Sequence, residues 1–220
     1  MSFIALIPAR SGSQRIKNKN LYKIKSKPLI YYTIKAAKKS KFINKIYVLT
    51  DSQKIKKVAE SYGAEVPFLR PKKISLASSK MVTTIRYCLK KINTINQKYF
   101  ILLQPTSPLR VSKDIDNACR LILSDKKASG LVSTFRMKDI FFSKLMFKKK
   151  NYIYRLDSKI KFNELSVFVR NGPSIYIGKI KKNFNFYNGK ILNYVLPEKT
   201  SLDIDTIKDI KKLKKILNLI

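Results

Sequence analysis

Arg10, Ser13, Lys19 and Asn20 fall in one short run, IPARSGSQRIKNKN, that follows an apolar segment and mixes small residues with cations. Small residues let backbone N–H groups come close to a ligand, and the cations supply charge to match an anion. Such a loop at the end of a first strand suits phosphate. A solvated basic turn is the alternative, and the loop alone does not separate the two. A second group lies near the other terminus, in Ser201-Leu202-Asp203-Ile204-Asp205-Thr206. Residues two apart in an extended segment share a side, so Asp203 and Asp205 present two carboxylates together while Leu202 and Ile204 turn to the core. Two aligned carboxylates are costly without a compensating cation. Hard oxygen donors beside a phosphate suit Mg2+. Capping of the following helix is the competing role; with 13 acids against 48 Lys and Arg, the scarcity of carboxylates favours the metal. A third run, Leu102-Leu103-Gln104-Pro105-Thr106-Ser107-Pro108-Leu109-Arg110, joins a buried strand to a helix through two prolines. It leaves Gln104 and Thr106 as rigidly placed polar groups, although an ordinary capped turn would look the same.

The elements that must hold these residues alternate. Apolar runs predict strands over 4–8, 46–50, 66–69, 99–103, 130–135 and 174–177. Helical spacing predicts helices over 28–40, 53–62, 81–95, 113–123 and 208–220, with Asp51 or Ser52 and Ser112 as caps and Gly63 as a terminator. Strands separated by single helices imply right-handed crossovers and an α/β fold, a mostly parallel sheet flanked by helices. Ligands bind such sheets at the carboxyl ends of the strands, and the Arg10 loop, Thr50-Asp51 and Gln104–Thr106 all lie there. Over 136–170 the rhythm changes, and aromatic and basic residues interleave. This stretch reads as a hairpin excursion. A subunit contact is favoured, because Phe141, Phe142, Met146 and Phe147 would otherwise leave an exposed patch. The whole of 1–220 reads as one domain.

Composition narrows the partners. A net charge of +35 invites nucleic acid. The lysines are, however, spread along the whole chain beside abundant Ile and Asn, with no His and no Trp, as a genome-wide bias would leave them. An anionic small substrate fits better. No apolar run approaches the ~20 residues that cross a bilayer, and Met1 leads straight into a strand without a charged leader. Cys88 and Cys119 fall in helices without metal spacing, as reduced thiols of a cytoplasmic protein.

The segments IPARSGSQRIKNKNL (7–21), PLIYYTIKAA (28–37), IYVLTDS (46–52), YGAEVPFLRP (62–71), LLQPTSPLR (102–110), NG..IYI (171–177) and SLDIDT (201–206) occur in an order that resembles the acylneuraminate cytidylyltransferase family. The resemblance implies a nucleotide-diphospho-sugar transferase-like, Rossmann-like domain with a small protruding dimerisation segment. It implies transfer of CMP from CTP to an acidic 2-keto sugar with Mg2+, in a likeness that extends to a homodimer. Carried over, Arg10 and Lys19 bind the CTP phosphates, Ser13 and Asn20 assist, and Asp203 and Asp205 hold the metal; Arg10, Lys19, Asp203 and Asp205 form the catalytic set. The 76–84 loop holds cytosine and ribose, with Thr83 where a serine is usual. Gln104 contacts the sugar, and Thr106 shapes the turn beneath it as part of the nucleotide site. Asn171 and Tyr176 line the sugar pocket, and Lys161 stands where the family has an arginine. A lysine neutralises a sugar carboxylate but lacks the bidentate fork. Gln14, Lys17 and Ser79 are further departures. Legionaminic, pseudaminic and 3-deoxy-manno-octulosonic acids are alternative acceptors, and the Lys19-Asn20 ending of the loop argues against the last. A basic nucleic-acid binder and an inactive homologue are the competing classes.

Overall fold

The computed structural model describes residues 3–92, 94, 97–136, 146–149, 152–155, 168–170, 174–181 and 183–218. In chain order come β1 (Phe3–Pro8), the short pair β2 (Lys23–Ile24) and β3 (Lys27–Pro28), α1 (Leu29–Lys38), β4 (Ile43–Leu49) and α2 (Gln53–Ser61). Next are α3 (Met81–Lys91), β5 (Tyr99–Leu102), α4 (Ser112–Ser124) and β6 (Gly130–Arg136). The hairpin of β7 (Met146–Lys149) and β8 (Tyr152–Arg155) follows, then β9 (Phe168–Arg170), β10 (Tyr176–Lys179), β11 (Ile191–Val195) and α5 (Ile207–Asn218). The main sheet has the order β11-β6-β10-β5-β1-β4, with β9 also on β6. β4, β1, β5, β6 and β11 run one way, and β10 and β9 run the other. The sheet is therefore mostly parallel, as expected, with an antiparallel strand inserted between β5 and β6.

β1 is apolar on both faces because both are covered. Phe3, Ala5 and Ile7 pack with Ile30 and Ile34 of α1 and Ile115 and Cys119 of α4. Ile4 and Leu6 pack with Ile85 and Cys88 of α3 and with Phe100 and Tyr176. Gly178 of β10 is small for a steric reason: a Cβ there would come within 2.6 Å of the Phe100 ring. Ser52 caps α2 by accepting the Ile55 N–H, and Gly63, at φ +85°, ends that segment as predicted. The strand expected over 66–69 shrinks to one bridge between Tyr47 and Glu65, since Pro67 cannot donate to a ladder. α3 ends at Lys91, short of the predicted 95. Ser112 opens α4 instead of capping it, and the Asp114 carboxylate reaches back to the Val111 N–H. The contact expected of Phe141, Phe142, Met146 and Phe147 lies outside what the described residues show.

A third apolar cluster serves the site directly. Ile16, from the loop after β1, and Ile204, from the turn before α5, are buried together with Ile24, Leu29, Ile210 and Leu213. The Ile204 N–H also donates to the Thr106 carbonyl at 2.8 Å. Apolar packing thus draws the loop after β1 and the turn before α5 together at the carboxyl ends of β1 and β5. Ile204→Ala is expected to cost about 2–5 kcal/mol of stability, read as a lower urea midpoint at unchanged slope.

Candidate active site

The loop after β1 is held by hydrogen bonds near both of its ends. Ser11 donates its N–H and its hydroxyl to the two oxygens of Asp51, each at 2.8 Å, which fastens the loop to the end of β4. Asn18, left-handed at φ 54°, leads into a single 3-10 turn over Lys19–Leu21, a conformation asparagine tolerates. Asn20 is buried, and its Nδ2 donates to the Arg10 carbonyl at 2.9 Å. Asn20 therefore shapes the backbone that carries Arg10.

Lys19 crosses to the other end of the chain. Its Nζ donates to the Ile204 carbonyl at 2.8 Å and to Asp205 Oδ1 at 3.1 Å, while Arg15 pairs with Asp205 Oδ2 at 3.2 Å. The basic loop and the acidic doublet meet. Capping falls to neither member of that doublet: the Asp209 carboxylate accepts the N–H groups of Asp205 and Thr206 and the Thr206 hydroxyl, and Thr206 Oγ1 accepts in return from the Asp209 N–H. Partial burial opposes it, but the hydrogen bonds from Thr206 and Asp205 hold the Asp209 pKa below the usual carboxylate range.

Asp203 is the unusual member. Burial pushes its pKa up, helped by the charges of Asp205 and Asp209, against a Thr106 side-chain hydrogen bond and the Lys19 cation. Its Oδ1 is buried without a hydrogen-bond partner. A half-buried carboxylate with one unsatisfied oxygen is a costly arrangement that a bound cation would relieve. Among the described residues no cluster of three or more His, Cys, Asp or Glu is present. Two carboxylates are a donor set that could hold Mg2+, an ion that takes one or two protein carboxylates and fills its other positions with phosphate oxygens and water.

These groups border a cleft of about 430 Å3 at the carboxyl ends of β1 and β5. Of the residues singled out from sequence, Arg10, Ser13, Lys19, Asn20, Gln104, Thr106 and Asp205 line it. Asp203 lies just behind, reached through Thr106. Thr83 is exposed on α3 and does not line the cleft; its neighbour Thr84 does, with Leu76, Ala77 and Ser79. Tyr176 does not line it either. It is 1% exposed and packs edge-on against Phe184 and Phe186, and burial pushes its pKa up to about 12. Strand alternation turns Tyr176 to the same face as its partner Leu102, into the apolar cluster where Phe184 and Phe186 cover it. Lys161 and Asn171 lie outside the described residues. Arg70 went unnoticed as a site residue. It is buried and lines the cleft, donates to Thr84 Oγ1 at 3.2 Å and to the Ile74 carbonyl, and leaves its Nε unpartnered. The run Phe68-Leu69-Arg70-Pro71, a lone arginine in an apolar stretch, was its sequence signal.

If Asp203 is held ionised at a cost, Asp203→Asn raises the melting temperature of the ligand-free protein at pH 7. A raised acid pKa favours the protonated fold, so the gain over the parent should shrink as the pH falls through that pKa. Calorimetry from pH 4 to pH 8 checks both parts.

A family model described as cytidylyltransferase matches residues 4–219. The chain is similar to an N-acylneuraminate cytidylyltransferase of Escherichia coli O18:K1:H7, at 36% identity over 94% of this chain and 50% of that protein. It therefore spans about half the length of that relative. It is similar over its full length to a CMP-N,N'-diacetyllegionaminic acid synthase of Legionella pneumophila, at 34% identity and 97% coverage of the latter. In fold it matches a CMP:2-keto-3-deoxy-manno-octonic acid synthetase complexed with CTP, at TM-score 0.76 and 14% identity, over 100% of this chain and 99% of that one. With the family model spanning the sheet, the basic loop and the acidic turn alike, the chain belongs to the cytidylyltransferase family of nucleotidyltransferase enzymes.

Proposed function

We propose that the chain transfers CMP from CTP to an acidic 2-keto sugar, releasing pyrophosphate, with an N-acylneuraminate as the acceptor and legionaminic, pseudaminic or 3-deoxy-manno-octulosonic acid as alternatives. The observation that carries this is the meeting of Lys19 with Asp205 beside a cleft that also holds Arg10, Arg15 and Arg70. Four cations facing one carboxylate make a site for a polyanion. The relatives' names supply the class of acceptor. No helix among the described residues is long and apolar enough to cross a membrane.

In the reaction proposed, the anomeric hydroxyl oxygen forms a bond to the α-phosphorus as the bond to the bridging oxygen breaks and pyrophosphate leaves in line. Arg10 and Lys19 stabilise the charge that gathers on the leaving group, and Arg70 lies close enough to add to that field. Asp203 and Asp205 would hold Mg2+, which would supply charge neutralisation at the phosphates. Gln104 offers an amide to a sugar hydroxyl. Because the chain contains no histidine, the proton of the attacking hydroxyl passes to a carboxylate or to solvent rather than to an imidazole. The same reading takes the 136–170 excursion as the contact of a homodimer, which light scattering of the purified protein would weigh directly.

The test is pyrophosphate release with CTP and a panel of 2-keto acids. Turnover is expected with at least one nonulosonic acid. Asp203→Asn and Asp205→Asn are each expected to lower kcat by about 100-fold or more, the scale of losing one electrostatic stabiliser. Arg10→Ala should raise the KM for CTP. Retained turnover in both aspartate variants would remove the metal role, and DNA binding with a steep salt dependence but no turnover would favour a different class of protein.

A further inference from the structure

Arg110 is a buried cation far from any obvious use. It is 3% exposed, and none of the ion pairs among the described residues includes it. Its guanidinium instead gathers neutral oxygens from three segments. Nη1 donates to the Ser174 carbonyl at 2.5 Å, and Nη2 to Thr33 Oγ1, on α1, at 2.9 Å. Both nitrogens also face the Gln104 carbonyl, at 3.4 and 3.3 Å. Thr33, itself buried, donates its hydroxyl to the same Gln104 carbonyl at 3.3 Å. Burial pushes the Arg110 pKa down to about 9, partly offset by Asp114, which leaves it a cation at neutral pH.

This is a poor way to build a stable core. An apolar side chain would fill the space without desolvating a charge, and Arg110 Nε and Ser174 Oγ are both buried without hydrogen-bond partners. What the guanidinium does supply is a fixed place for one backbone carbonyl. The side chain on that carbonyl's residue faces the cleft, where Gln104 Oε1 accepts from the Thr106 hydroxyl at 3.3 Å. Ser174 leads into β10, where the chain returns to pair with β5 after β9. The grip therefore links the Gln104 turn to the point of return.

We propose that Arg110 and Thr33 are positioning residues that clamp the Gln104 backbone, and so aim its side chain at the acceptor sugar in the half of the cleft away from the triphosphate. This rests on the cytidylyl-transfer reading above. A clamp acting through Gln104 must alter acceptor binding selectively, and its effect must vanish once the Gln104 side chain is gone. A purely structural role predicts neither.

Steady-state pyrophosphate release is compared for the parent, Thr33→Val, Arg110→Lys, Gln104→Ala and the double variant Thr33→Val/Gln104→Ala, with thermal melts of each. Thr33→Val keeps the side-chain volume and serves if Arg110→Lys fails to fold. The expected result is a KM for the 2-keto acid raised about five- to tenfold by Thr33→Val, the scale of one hydrogen bond, with the KM for CTP within about twofold. The double variant should be no worse than Gln104→Ala alone. Equal rises in both KM values, or effects that multiply in the double variant, overturn the clamp while leaving the transferase reading in place. A parent that turns over no 2-keto acid overturns both.

Discussion

The meeting of the basic loop and the acidic turn depends on the small apolar cluster that buries Ile16 and Ile204 together and that α5 and the β2–β3 turn close over. The ion pairs above that cluster could not assemble the site unaided. Arg15 and Asp205 are 68% and 52% exposed, and such surface pairs contribute roughly 0–1 kcal/mol. Burying several isoleucines and leucines contributes more and is insensitive to salt. The division of labour is useful. Apolar packing fixes where the basic loop and acidic turn stand, while the polar contacts between them stay weak enough to be exchanged for a ligand.

The scarce acids are placed with corresponding economy. Asp51 fastens the Ser11 end of the loop, Asp209 caps α5, Asp114 reaches back over the start of α4, and buried Asp116 accepts from Ser40 and from the Lys41 N–H. Each has a hydrogen-bonding task. Asp203 stands apart, with a buried oxygen that no group among the described residues satisfies. Its strain is local, and it sits one residue from the carbonyl that Lys19 grips. Stability surrendered at such a position is characteristic of sites that await a ligand.

The sequence made the strongly patterned parts legible. β1, α1, β4, α2 and α4 follow from apolar periodicity and capping residues, and the loop and acidic turn follow from charge set at the ends of predicted strands. What escaped did so for physical reasons. The backbone at 66–69 looked like a strand until Pro67 is counted as a missing donor. Tyr176 enters the site only through the family resemblance, and the register of β10 against β5 turns it into the core beside Phe184 and Phe186. β11 is short and half-exposed, with too few buried positions to set a pattern. Arg70 and Arg110 are single cations in a chain of 48, and only the fold tells a buried arginine from the many solvated ones.

The antiparallel direction of β10 has a wider consequence. β6 ends beside the Gln104 turn that follows β5, β9 pairs back onto β6, and β10 starts at that same end of the sheet behind Ser174, which Arg110 grips. The detour between β6 and β10 therefore begins and ends beside the cleft. Changes in its length outside β9 leave the pairing of β6 with β9 and with β10 as it is. The scaffold around the opening loop is thereby insulated from changes in the detour. One such frame can carry exchangeable appendages at that end of the sheet while the basic loop and the acidic turn stay the same.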